Sequence, residues 1–218
     1  MAVKVAGSAG PNVEVETNTL AMRVVVRPDD YGSQGIFSIG MATGTMVAGF
    51  GTGTIFSFRY GSTNLALVRK VIVSAGGLAV FTAGLVNFSM FAGRSYTANM
   101  TGGTGATLTG NNQKLRTNMA TTGVSDIRIS TTAALAGGTF TLDAQPLAQL
   151  ECSTPATAGT PLLYPFPLFE SRVGEYPFVC AQFEGFNIQA TVPASGTWTA
   201  AVIVIWEEMN NYGTALAT

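Results

Sequence analysis

The run Val71–Gly93 (VIVSAGGLAVFTAGLVNFSMFAG) carries no charged side chain. That narrows the chain to two kinds of structure. About 18 or more apolar residues suffice to cross a bilayer as a helix; the same residues cut into strands can fill a sheet buried on both faces. The residue types favour strands. Val71, Val73, Val80 and Phe81 prefer extended geometry, and Gly76-Gly77 and Gly84 divide the run into strand-sized pieces. Basic residues flank both ends (Arg69-Lys70 and Arg94), so no topological asymmetry accompanies it. A second uncharged stretch, Tyr31–Phe58, is dense in Gly and Thr, as turns between strands are. The expectation is the end of one strand, a Gly-containing loop and a further strand from Leu85, with no membrane span.

The rest of the chain agrees. Helical periodicity is absent, and short β-rich runs alternate with Gly, Asn, Pro and Thr clusters. Expected strands are Val13–Glu16, Leu20–Arg27, Gly35–Ile39, Thr54–Tyr60, Ala66–Ser74, Leu85–Arg94, Ala106–Thr109, Ser125–Ser130, Thr139–Asp143, Ala148–Cys152, Pro177–Gln182, Gly185–Val192 and Thr197–Glu207. In IFSFRY, Phe56, Phe58 and Tyr60 share one face; in GFNIQATV, Phe186, Ile188, Ala190 and Val192 oppose Asn187, Gln189 and Thr191. The last run, TWTAAVIVIWEE, is apolar on both faces, as a central strand or a subunit contact would be. Pro193–Gly196 reads as a hairpin-like link, and Gly110–Thr122 as a short helix or surface excursion. The passage Thr160–Phe169 has too many prolines for a central strand and reads as an extended apolar arm or loop. These features predict a single all-β domain, a jelly-roll-like β-sandwich over residues 19–218, with 1–18 as an N-terminal arm or first strand.

Charged residues make up 11% of the chain, against about 25% in an average protein. The chain is nevertheless 47% hydrophobic, so it is not disordered. A folded protein this poor in charge is expected to hide surface against partners in a permanent assembly. The net charge of −1 and the scattered basic residues leave no footprint for nucleic acid. The N-terminus has no apolar core of a secretory signal. Cys152 and Cys180 make no disulfide framework and are expected as reduced, structural thiols.

Candidate chemistry is sparse. The chain has no histidine, which removes His-dependent triads, His-ligated zinc and the commonest general base. Two cysteines cannot complete a thiolate metal site. Glu207-Glu208 would point to opposite faces of a strand and reads as an exposed strand end, not as a glycosidase pair. Asp29-Asp30 sits in a turn with too few oxygen ligands for calcium. The piece MTGGTGATLTGNNQK lacks the Gly-Lys-Ser/Thr ending of a phosphate loop. No catalytic residue, metal or cofactor is expected. Trp198 and Trp206 share one face of the last strand, suited to core or interface packing more than to a sugar platform.

The segments LAMRVVVRPDDYGSQG, GNNQKLRT, LDAQPLA, GEYPFV and GFNIQATVPASGTWTAAVIVIWEE resemble small virion structural proteins of tailed bacteriophages, the jelly-roll type that sits on or cements the capsid. The resemblance implies a non-enzymatic homo-oligomer, with a trimer preferred. It would be made in the host cytoplasm and bind the major capsid protein or other virion proteins on the capsid surface. Interface candidates are Trp198 and Trp206, the docking arm with Leu162, Leu163, Tyr164, Phe166 and Phe169, and a reach-out segment Ala2–Glu16 with Val3 and Val5. A glycan-binding tail, baseplate or head-fibre component is the alternative; a β-sandwich enzyme using paired carboxylates is a third.

Overall fold

The computed structural model describes residues 34–47, 52–79, 84–153, 161–172 and 175–209; the side chains of residues 161 and 162 lie outside that description. Thirteen strands form in chain order: β1 Gly35–Ala42, β2 Met46–Val47, β3 Thr52–Tyr60, β4 Leu65–Ala79, β5 Leu85–Thr101, β6 Thr104–Gly105, β7 Val124–Ile129, β8 Ala136–Leu142, β9 Ala148–Ser153, β10 Pro161–Glu170, β11 Phe178–Cys180, β12 Gly185–Thr191 and β13 Thr197–Met209. There is no helix among the described residues. The expected strands Val13–Glu16 and Leu20–Arg27, the segment Ala2–Glu16 with Val3 and Val5, and the Asp29-Asp30 turn lie outside them.

The strands make two antiparallel sheets. Sheet I runs β1-β13-β4-β10, with β2 against β13 and β11 continuing the β10 edge along β4. Sheet II runs β6-β7-β3-β12-β5-β8, with β9 beside β5. The sheets face one another over a common core. Phe37, Val71, Val73, Val202 and Val204 come from sheet I, and Phe56, Phe58, Phe88, Met90 and Phe186 from sheet II, all fully buried.

Both tryptophans belong to this core, which removes them from the interface candidates. Trp206 stacks on Phe37 at 5.4 Å and meets Phe58 of the facing sheet edge-on at 5.4 Å; Trp198 meets Phe88 edge-on at 6.2 Å. A side chain of about 200 Å² contributes roughly 5 kcal/mol of gross burial at ~25 cal/mol per Å², so the sandwich gains more from these indoles than a surface contact would.

Other expectations are corrected by register. β4 continues through Gly76-Gly77 to Ala79, because Gly77 lies across the ladder from Trp198 and leaves that row room for the indole. The Thr160–Phe169 passage is an edge strand, not a free arm: β10 pairs with β4 from Pro161 opposite Gly76 to Glu170 opposite Lys70. Its pairing breaks at Pro161/Leu163, Leu163/Phe166 and Pro167/Phe169, around prolines that have no N–H to donate. Pro193–Gly196 joins β12 of sheet II to β13 of sheet I, so it crosses between sheets and is not a hairpin. Residues 106–109 are not a strand, and 110–122 form turns without a helix. That excursion lines the outer edge of β1: Ser38 N donates to Gln113 O at 2.8 Å and Leu115 N to Ile36 O at 3.2 Å.

Candidate functional site

The two sheets treat their outward faces differently. On sheet II the outward row Ser57–Asn187–Phe91 is followed by Arg59–Gly185–Gly93. Here β5 bends at Ser95, where φ is +54°, and folds its own continuation back over these rows. Tyr96 lies against Gly93, at a position where a Cβ would collide with the ring. It stacks on Phe140 at 4.5 Å, and its hydroxyl donates to Asn187 Oδ1 at 3.1 Å. Burial pushes the Tyr96 phenol well above its ordinary range. Arg59 donates to Asn99 Oδ1 and to Tyr96 O (3.2 Å) and lies over the Phe183 ring. Ser57 and Asn187 are consequently buried although they point away from the sandwich core.

Sheet I has no such lid among the described residues. Its outward rows, read across the ladder, are Val47–Thr197–Ala79, Thr199–Gly76, Ala42–Ala201–Ser74 and Gly40–Ile203–Ile72–Pro167. No ionisable residue occurs in them. Ile203, in the last of these rows, is 38% exposed. The small residues Ala42, Ser74, Gly76, Thr199 and Ala201 line a shallow open depression of about 170 Å³. Charge appears only at the far end, already paired: Lys70 Nζ to Glu170 Oε1 at 2.7 Å and Arg69 Nη2 to Glu207 Oε2 at 3.0 Å.

The edge of the same sheet carries exposed aromatics. β10 and β11 follow one another along β4, and on or beside them Tyr164 is 75%, Phe166 53% and Tyr176 97% exposed, with Val179 and Phe183 also open. Leu163 and Phe169 are partly buried against the core. Leu162 sits in β10 with its side chain outside the described part. Of the expected arm, then, Tyr164 and Phe166 face solvent, and sequence reasoning missed Tyr176 and Val179, which follow further along the same edge of β4.

Buried polar groups serve the fold. Glu207-Glu208 is not an exposed strand end. Glu207 points outward to Arg69, while Glu208 points inward and is buried. Glu208 accepts from Gly123 N (2.8 and 3.0 Å), Trp206 Nε1 (3.1 Å), Thr122 Oγ1 and Tyr60 OH (3.4 Å), joining β13 to β3 and to the loop before β7. Burial, then the Glu208 carboxylate, push the Tyr60 phenol far up. Arg94 holds Asp143 (3.2 Å) and Glu184 (2.9 Å), and these two carboxylates raise its pKa. Burial pushes the Asp126 carboxyl up, against the pull of Arg128 at 3.1 Å. Cys180 is a buried free thiol pushed up by burial; Cys152, on β9, is half-buried and shifted the same way. Among the described residues, no group of three or more Cys, Asp and Glu side chains gathers as a metal site, and no helix is long and apolar enough to cross a membrane.

No protein-family model matches the chain, no curated protein matches it, and no solved structure matches it.

Proposed function

We propose that the protein is a virion structural subunit, a capsid cement or decoration protein that attaches to the major capsid shell of a tailed phage along the β10–β11 edge of sheet I. The observation that carries the reading is the exposure of Tyr164 and Phe166, on a strand whose prolines and register breaks blunt it against sheet extension, and of Tyr176 in the segment just before β11. Tyr and Phe are enriched at protein interfaces, and such residues anchor contacts when a partner covers them. The scarcity of charge fits a surface designed to be covered.

The strand pairing supports a jelly-roll form of the sandwich. Setting aside β2, β6, β7, β8 and β11 and taking β1, β3, β4, β5, β9, β10, β12 and β13 in chain order, the first pairs with the last, the second with the seventh, the third with the sixth and the fourth with the fifth. This nesting fits the two-Greek-key pattern of double-sheet jelly rolls, an architecture shared by viral capsid and lectin domains. The pattern by itself fits many activities; the aromatic edge supports the attachment reading.

The test mixes purified protein with shells of its phage stripped of accessory proteins. Saturable binding at micromolar concentration and increased heat resistance of the shell support the reading, with both lost in Tyr164→Ser/Phe166→Ser. Absence of binding by the native protein contradicts it. The exposure of Tyr176 and Tyr164 favours one second reading, a glycan-binding tail or fibre component, because an open ring can stack on a sugar. A glycan-array signal abolished by Tyr176→Ser would select it.

A further inference from the structure

We infer that the outward face of sheet I packs against the same face of a second copy of this chain, related by a two-fold axis that lies between the sheets and crosses the strands. This stands apart from the proposed shell contact, along the β10–β11 edge.

The first reason is relief. Along β13 the outward residues change from small to large: Thr199 and Ala201 are followed by Ile203 and Ile205. β4 changes in step, because Ser74 shares the row of Ala201 and Ile72 the row of Ile203. A two-fold passing between these rows reverses strand direction, setting Ile203 of one copy over Ala201 of the other and Ile72 over Ser74. The ridge of each copy then enters the depression of its mate, and residue i meets j wherever j meets i, as a two-fold contact requires.

The second reason is charge. The two central rows, through Ala201 and Ile203, hold no ionisable group, so no charge is stranded there when water leaves. The Lys70–Glu170 pair lies in the Ile205 row, at the end of the overlap on the β4–β10 side, and the Arg69–Glu207 pair lies beyond it, each already satisfied within its own copy.

The third reason is area. The two-fold pairs the Thr199 row with the Ile205 row, so four strands about 4.8 Å apart over Thr199–Ile205, at about 3.4 Å per residue, give a flat footprint of about 450 Å². Side-chain relief adds to this, and the contact stands below the ~800 Å² per partner of a standard interface, so the pair should dissociate on dilution. Sheet II has no equivalent, since Tyr96 and its neighbours already fill its outward centre.

The experiment measures mass by light scattering on a sizing column across a concentration series, for the full chain and for Ile203→Lys. Two chains per particle are expected for the native protein. The dissociation constant of Ile203→Lys should rise at least about 100-fold, because each dimer would bury unpaired ammonium groups. A far-ultraviolet spectrum and tryptophan emission matching the native protein confirm that the variant folds. A second arm does not depend on that variant. In a Cys152→Ser background, Ala201→Cys and Ile203→Cys chains are treated with a short bismaleimide spanning the gap of about 10 Å between stacked sheets. One row of offset, about 6.8 Å, leaves like cysteines about 12 Å apart and unlike ones about 10 Å apart, so cross-linked pairs should form in the mixture and with either chain alone, and not with Thr141→Cys on sheet II. A monomer overturns the inference. A trimer, an oligomer unmoved by Ile203→Lys, or cross-linking no greater than with Thr141→Cys overturns it too. Shell binding can fail while the pair persists, and the pair can fail while shell binding persists.

Discussion

Replacing Glu208 by glutamine changes one oxygen to an amide nitrogen and leaves the volume nearly unaltered. The site around it is made of donors: Trp206 Nε1 and Thr122 Oγ1 on Oε1, Tyr60 OH on Oε2, and Gly123 N reaching both oxygens. The hydroxyls of Thr122 and Tyr60 can rotate and accept. The indole N–H and the backbone N–H cannot. With its NH₂ on the Oε1 side the amide faces the indole N–H; turned the other way, its carbonyl oxygen still accepts from Trp206 Nε1 and from Gly123 N at 3.0 Å, and the NH₂ takes the place of the oxygen that held Gly123 N at 2.8 Å. The amide settles in the second orientation, which orphans neither fixed donor but loses the charge-assisted strength of the bonds. Glu208→Gln should therefore lose about 1–2 kcal/mol, against the roughly 5–15 kcal/mol that holds a domain. Glu208→Ala orphans both donors and opens a cavity, for a loss of about 3–5 kcal/mol. Urea unfolding followed by tryptophan emission at a fixed protein concentration measures both, since Trp206 is itself a partner. Midpoint shifts in thermal unfolding should be roughly 2–8 °C for the glutamine variant and roughly 6–20 °C for the alanine variant. If both variants lie within about 0.5 kcal/mol of the native protein, Glu208 does not hold the sheets together as described.

Gly185→Ala should yield insoluble or unfolded protein, read from the soluble fraction on expression, because a Cβ there falls on the Phe58 carbonyl oxygen and backbone in the β3–β12 ladder cannot move aside. Tyr164→Ser and Phe166→Ser should change unfolding free energy by no more than about 0.5 kcal/mol each, since both side chains are mostly in solvent; urea midpoints check it. Tyr60, Tyr96, Cys152 and Cys180 all have folded pKa values raised by burial. Their contribution is complete below the unfolded pKa values, about 8.5 for Cys and 10 for Tyr, and is lost as pH rises beyond them while the unfolded chain ionises and the folded chain keeps its protons. Thermal stability should fall from about pH 9 upward, by at most about 1.4 kcal/mol per pH unit for each retained proton. Tyr60→Phe should flatten that slope, and an unchanged slope would remove Tyr60 from the explanation.

Much of this architecture is legible in the residues, and what is not has physical causes. Period-two alternation in IFSFRY and GFNIQATV places β3 and β12 with their inward faces correct, because each strand buries one side against a single core. The doubly apolar TWTAAVIVIWEE run is the central strand β13, between β1 and β4. The proline passage misleads because edge pairing needs only some of the N–H groups, and the register breaks absorb the rest. Gly76-Gly77 misleads because a glycine opposite a tryptophan relieves crowding within a strand; here it does not end one. Glu208 was readable: the parity that puts Trp198 and Trp206 on one face puts Glu208 with them, two residues beyond Trp206. What parity cannot supply is the ring of donors from Thr122, Gly123 and Tyr60, which only the fold brings near. The aromatic edge was half visible in Tyr164 and Phe166. Tyr176 joins them because β10 and β11 share the same side of β4, a long-range fact that local sequence does not encode.

Imaging the assembled particle at a resolution that traces the chain should show Tyr164, Phe166 and Tyr176 seated against a shell subunit and withdrawn from solvent. A particle in which this edge faces open solvent while another surface makes the attachment would contradict the proposed contact.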